Sequence, residues 1–343
     1  MKIGAFLLAA QFPGRDHTSV LESTLAAAVA AESAGFDDVW LAEHHFMSYG
    51  VCPSAVTMAG FVLGRTRRIG VGTAVSVLST QHPVALAEQA NLLDQLSGGR
   101  FRLGVGRGGP WVDLEVFGTG LERYERDFPE ALEVLLGALR GGRIRADGTT
   151  FGFREVEVVP GPRTRPHPPV VVAASSAPTL ELAARLGLPL LLGMDRVPAE
   201  QAARIAEYAE LAGDRAARGH VVTGLAHVAD SRERAREAVL GAMPEWLGPG
   251  LAGYVTVDGR PRRRKDPEEY ARFLCDTHAV GSPEDCAERL VAHARATGAA
   301  EIILMVEAAG DPGAVLDNIA RLGAEVLPRV RAALWRGRRR DPR

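Results

Sequence analysis

Residues 35–46 read GFDDVWLAEHHF, an apolar run that ends in an acid and two histidines. The run has the look of a buried strand, yet its carboxyl end carries three ionisable groups. In parallel α/β proteins that is where chemistry resides. Side chains at strand ends project into a crevice walled by loops, whereas those within the strand are consumed by packing. The segment therefore predicts a parallel α/β fold with His44 and His45 at its working rim.

Outward from this stretch, short β-branched or Leu-rich runs alternate with longer stretches of helical period, the pattern of parallel strands with crossover helices. Eight strands are predicted, at 2–8, 38–41, 68–75, 101–105, 170–173, 189–192, 220–227 and 301–305. Eight such units favour closure into a (β/α)8 barrel over an open sheet. Residues 18–34 are predicted as the first crossover helix, with Thr18, Ser19 and Glu22 as capping material and Gly35 as its terminator. Two insertions interrupt the spacing. Residues 141–168 contain the alternating TTFGFREVEVV, read as a small hairpin or edge strand. Residues 247–282 contain GRPRRRKDPEEY, too long and polar for a routine connection, and read as a long loop of the kind that forms a lid or a disordered segment.

The chain has 343 residues, enough for one large barrel, and 40 Lys plus Arg against 42 Asp plus Glu, so no global field attracts nucleic acid or anionic lipid. The basic runs 260–265 and 336–340 read as solvated charge, and no interleaved aromatics make a nucleic-acid platform. Three cysteines without ligand spacing argue against a disulfide framework and a zinc site. No signal peptide or membrane span is evident, and a cytoplasmic location is expected.

Gly104, Gly106 and Gly109 formally satisfy G-x-G-x-x-G, but Pro110 and Trp111 interrupt the helix that a dinucleotide fold needs. What remains is a Gly-rich loop carrying Arg107, able to hold an anion or to close a rim salt bridge. Ser175, Ser176 and Thr179 fall between a strand and the next helix, where exposed amides favour phosphate, or where hydroxyls simply cap. On neighbouring strands, the two loops suggest one phosphate held between them. His44 and His45 read as catalytic groups or as hydrogen-bonded core residues; without a third ligand they do not suggest a metal. Glu43 orients a histidine or closes a rim ion pair.

KIGAFLL (2–8), GFDDVWLAEHHF, VGTAVSVLSTQHPV (71–84), NLLDQLSGGRFRLGVGRG (91–108), EVFG (115–118) and the stretch from VVVAASS (170–176) to ARLGLP (184–189) occur in one order. By these motifs the chain resembles the bacterial luciferase-like flavin-dependent monooxygenases, and luciferase subunits in particular, over residues 1–327. The resemblance implies a single barrel domain, 1–330, with insertions 141–168 and 247–282, followed by a basic tail, 331–343. It implies reduced flavin mononucleotide (FMN) reacting with O2 through a flavin C4a-hydroperoxide to oxygenate an organic substrate, with the flavin supplied by a separate reductase. Arg107, Ser176 and Thr179 match the flavin phosphate site, and Ser175 stands where luciferases carry an acid. His44 matches the catalytic histidine. Ala74 and Val75 match a non-prolyl cis peptide against the flavin, and Phe6 and Ala42 match the ring pocket. A homodimer is expected from the same likeness, and residues 247–282 correspond to the family's mobile active-site loop, predicted to act as a lid that orders on flavin or substrate binding.

Departures from the luciferase pattern matter too. Gly106 stands in place of a reactive cysteine, Gly109 and Pro110 replace a bulky apolar and aromatic pair, and Met194 replaces a tryptophan. A wider, reshaped pocket is expected, for a bulky hydrophobic substrate such as a polyketide or other secondary metabolite. The alternatives are a deazaflavin (F420)-dependent hydride-transfer enzyme, which the wider superfamily includes, and a non-catalytic flavin-binding protein.

Overall fold

The computed structural model describes residues 1–260 and 265–340. Its eight barrel strands are β1 Lys2–Leu7, β2 Asp38–Leu41, β3 Gly70–Thr73, β4 Phe101–Gly106, β5 Val170–Ala173, β6 Leu190–Leu192, β7 Val221–Val228 and β8 Glu301–Met305. Each pairs in parallel with the next, and β8 returns to β1 through Glu301 beside Lys2 and Ile302 beside Ile3. The sheet is closed, as the count of eight units predicted. All eight strands fall where the sequence placed them, although β3 is shorter than 68–75. A non-prolyl cis peptide at Ala74–Val75 separates it from the two-residue strand Ser76–Val77.

Strand alternation divides the interior into two apolar regions. Ile3, Ala5, Leu7, Val39, Leu41, Leu103, Val105, Val170 and Val172 face the helices. Phe6, Leu8, Trp40, Ala42, Val171, Leu191, Ile303 and Met305 fill the barrel. Trp40 is fully buried because Gly72 opposes it; a Cβ on Gly72 would lie 2.5 Å from the indole. Burial of an indole of this size is worth about 5 kcal/mol. Beneath it, Trp40 Nε1 donates to Glu301 Oε1 at 2.7 Å, the Arg102 guanidinium stacks 4.7 Å from the Trp40 ring centre, and Arg102 also pairs with Glu301. Lys2 pairs with Asp38 at 2.9 Å. These groups plug the amino end of the barrel and leave the carboxyl end as the open one.

The first crossover helix, His17–Ser33, is capped by Asp16, whose carboxylate accepts from Ser19 N at 2.7 Å. The cap predicted from Thr18, Ser19 and Glu22 is corrected accordingly. Gly35, at φ 81°, ends the helix as predicted. The first insertion forms an antiparallel hairpin, Gly142–Asp147 with Gly152–Val158.

The second insertion is not the long loop expected. A helix, Arg232–Ala252, runs through Pro244 and Pro249 into it, a second helix spans Pro267–Thr277, and Ala279–Gly281 adds a strand beside the end of β7. Polar composition misled here because both helices bury one face, through Met243, Trp246, Leu247, Ala271 and Leu274. Of the basic run 260–265, residues 261–264 lie outside the described residues, as do 341–343 of the tail. No described helix is long and apolar enough to cross a membrane.

Candidate active site

β2 ends at Leu41, so Glu43, His44 and His45 lie on the loop beyond it, at the open rim. Glu43 ties that loop down. Its carboxylate accepts from Val77 N at 3.0 Å and from Ala55 N at 3.1 Å, the first residue of helix Ala55–Arg65, where the helix dipole favours negative charge. His45 Nε2 approaches Glu43 at 3.5 Å. Of the roles open to Glu43, the structure adds one the sequence did not suggest: it joins the histidine loop to the segment that follows the cis peptide.

His44 donates its backbone N–H to Cys52 O at 2.9 Å, and its ring meets Tyr49 edge-on at 5.0 Å. Nδ1 is enclosed without a hydrogen-bond partner among the described residues, while the residue keeps some surface open to the cavity. Burial, and then the neighbouring His45, lowers its pKa to about 4. The imidazole is therefore neutral at ordinary pH. Gly50 lies directly against it, since a Cβ there would fall 2.4 Å from Leu8 O and 2.6 Å from His44 Nδ1. Gly50→Ala is expected to displace the ring and to cost about 1–3 kcal/mol of stability through overpacking. Denaturant unfolding measures the second effect, and the first should appear as lost turnover in protein that is still folded.

At the tips of β4 and β5, Arg107 Nη2 donates to Ser176 Oγ at 2.9 Å, and Ser176 Oγ lies 3.0 Å from Thr179 Oγ1. The Arg107 guanidinium rests 4.8 Å from the Tyr124 ring centre. Ser176 is the N-cap residue of helix Ala177–Leu186, yet its hydroxyl makes no capping bond, so the amides of the first turn keep their capacity for an anion. A cation, two hydroxyls and uncapped amides fit a phosphate monoester. Ser175 stands apart from the hydroxyl cluster; its carbonyl accepts from Arg196 at 3.1 Å.

Phe6, Ala42, His44, Ala74, Val75 and Ser175 line one cavity of about 580 Å³. Arg107, Ser176 and Thr179 do not line it, but Gly108 and Ser175, their chain neighbours, do. The residues singled out in the sequence thus converge on one rim. Sequence reasoning missed most of the cavity's other wall: Tyr49, Asp113, Asp195, Tyr254, Lys265 and Tyr270. Asp113 is buried, which raises its pKa. The aromatic spacing in 247–282 was the signal available for Tyr254 and Tyr270, but it was read as loop. A separate hollow of about 260 Å³ lies beside Phe12, Arg15 and Glu307; none of the expected site residues lines it.

The glycine replacements do not simply empty the pocket. The space over Gly109 is taken by Trp111, whose Nε1 would lie 2.1 Å from a Cβ, and that over Gly106 by Val75 Cγ2, 2.9 Å from one. The pocket is reshaped, and a strap is fastened beside it. Val112 N donates to Val255 O at 2.9 Å and Val257 N to Pro110 O at 2.8 Å, which fastens the chain after helix Arg232–Ala252 to the Gly-rich loop.

The sequence profile of the luciferase-like monooxygenases matches residues 1–301. The chain belongs to that family. Among relatives of this luciferase-like protein is the alkanal monooxygenase alpha chain of a Kryptophanaron alfredi symbiont, 31% identical over an alignment covering 96% of this chain and 98% of the relative. In fold, it is similar to a monooxygenase from Streptomyces bottropensis, with a TM-score of 0.84, 24% identity, and coverage of 96% of this chain and 99% of that one. It is also similar to the oxygenating constituent of 3,6-diketocamphane monooxygenase from Pseudomonas putida, solved in complex with FMN. That match has a TM-score of 0.74, 19% identity, and coverage of 96% and 98%. The family and the closed barrel thus agree with the expectation drawn from the sequence motifs.

Proposed function

We propose that this luciferase-like protein is a two-component monooxygenase that receives reduced FMN from a separate reductase and inserts one atom of O2 into a bulky hydrophobic organic substrate. The observation that carries the reading is a partly buried, neutral histidine on the same cavity as the cis Ala74–Val75 peptide, beside a cluster suited to phosphate.

Arg107, Ser176 and Thr179 would hold the phosphate, with Ser175 at the edge of the same loop, and Phe6, Ala42, Ala74 and Val75 would bound the ring. Reduced flavin supplies the electrons that activate O2. The chain's own residues supply enclosure and proton handling. The apolar part of the wall, with bound substrate covering the open side, would limit water and so protect a reactive oxygen species from wasteful breakdown. His44, neutral and facing the cavity, can accept or relay a proton at its ring nitrogen.

The lowered pKa of His44 has a sign that can be checked. If its neutral form is the active one, kcat/KM should hold steady as pH falls through 6.5 and decline only toward about 4. An acid limb centred near 6.5 would contradict the assignment. Oxygen uptake with photoreduced FMN, run beside reduced deazaflavin, tests the whole reading. Oxygen-coupled turnover with FMN supports it, hydride transfer from deazaflavin without oxygen uptake favours the F420-type alternative, and no turnover with either favours the non-catalytic one.

A homodimer accompanies the proposal. Phe61 on helix Ala55–Arg65 and Leu92 and Leu96 on helix Pro83–Ser97 are 64%, 47% and 78% exposed, too apolar a set for a face meant only for water. Paired substitutions Phe61→Glu and Leu96→Glu should convert a dimer to a monomer in light scattering.

A further inference from the structure

Three tyrosines on the cavity's outer wall are not used by the proton handling described above. Tyr49, Tyr254 and Tyr270 line the same cavity as His44, and none of their hydroxyls has a hydrogen-bond partner among the described residues. None of the three oxygens is sealed from the cavity either, for the fully enclosed unpartnered polar atoms are elsewhere. They lie close together: the Tyr49 and Tyr254 rings are 5.7 Å apart, and Tyr270 is raised in pKa by burial first and then by Tyr49, Asp195 and Tyr254. Asp195 and Lys265 line the same wall, the Lys265 ammonium 4.0 Å from the Tyr270 ring centre. Trp111 adds a flat surface, 4.9 Å from Tyr254.

This set is richer than an alkanal needs. An aldehyde offers one oxygen and a flexible chain, whereas the wall offers flat aromatic faces, three phenolic donors, an ammonium and a carboxylate acceptor. A ligand that enters the cavity displaces water from these hydroxyls and binds well only if it pairs them itself, and a site built that way discriminates strongly against analogues lacking the matching groups. The aromatic faces favour a planar partner by stacking.

We infer that Tyr49, Tyr254 and Tyr270 form a substrate subsite that selects a planar, fused-ring aromatic bearing hydroxyl or carbonyl groups, with Asp195 and Lys265 completing its polar contacts. The inference rests on the monooxygenase reading and deepens it. Tyr254 and Tyr270 come from the β7–β8 crossover, whereas the groups assigned to the flavin, like Tyr49, come from β1 to β5 and their loops.

The test uses the full-length protein saturated with FMN, titrated calorimetrically with dihydroxynaphthalene, naphthalene and decanal. Dihydroxynaphthalene should bind most tightly. Tyr254→Phe and Tyr270→Phe should each weaken it about tenfold while leaving naphthalene and FMN affinity unchanged. Equal affinity for dihydroxynaphthalene and naphthalene, preference for decanal, or phenylalanine variants that leave all three ligands unaltered would overturn the subsite. Variants that weaken FMN instead would assign the hydroxyls to the flavin and also overturn it. Circular dichroism shows that the variants fold, and Tyr49→Phe repeats the measurement on a separate chain segment. Oxygen uptake with reduced FMN in the absence of any aromatic ligand reports on the monooxygenase reading alone, so failure of either is recognised separately.

Discussion

Arg107→Ala is expected to weaken FMN binding about 100-fold while leaving riboflavin binding nearly unchanged. The argument is electrostatic and local. Arg107 brings a guanidinium to Ser176 at 2.9 Å, and Ser176 is 3.0 Å from Thr179, so the three groups cluster at the start of helix Ala177–Leu186. Removing the cation leaves two hydroxyls and the helix amides, which bind a dianion far less well than the complete set. Charge-assisted hydrogen bonds of this kind are worth about 1.5–3 kcal/mol, or roughly 10- to 150-fold. Riboflavin has the same ring and no phosphate. Anaerobic fluorescence titrations with both ligands therefore separate a phosphate contact from a general loss of structure, and an equal fall for both would remove Arg107 from the phosphate site.

His44→Ala should lower product formation about 100-fold with FMN affinity changed less than about threefold. His44 lies on the cavity wall away from the phosphate cluster, and its ring is held by enclosure: Tyr49 at 5.0 Å on one edge and Gly50 packed against Nδ1. A proton-transfer group positioned this way acts on the chemical step and contributes little to holding the cofactor. Single-turnover product yield and oxygen uptake, measured together, distinguish slowed oxygen transfer from wasteful oxidation of the flavin. Undiminished product formation would refute the role.

The placing of the candidate groups at the rim was legible because it is local in sequence. His44 follows β2 directly, Arg107 follows β4, and Ser175, Ser176 and Thr179 follow β5, so strand pattern alone put each group on one face. The resemblance added the cis peptide, which the structure contains at Ala74–Val75. Glu43 was legible only in part. Its acidity was visible, but its bonds to Val77 and Ala55 join segments that are distant in sequence.

The opposite wall was not legible, for a definite reason. Residues 247–282 are rich in Pro, Gly and charge, which locally favours loop, and it is burial against the barrel that makes two helices of them. Only then do Tyr254, Tyr270 and Lys265 reach the cavity. Similarly, Gly106 and Gly109 suggested open space, because a sequence shows a missing side chain but not the neighbour that fills its volume.

Periodicity and strand-end chemistry, both properties of short segments, were enough to determine the closed eight-stranded barrel and the end of it at which the candidate groups stand. The cavity's shape, the neutrality of His44 and the company of its tyrosines were decided by tertiary structure. Enclosure, dielectric and packing depend on atoms that meet only when distant parts of the chain come together.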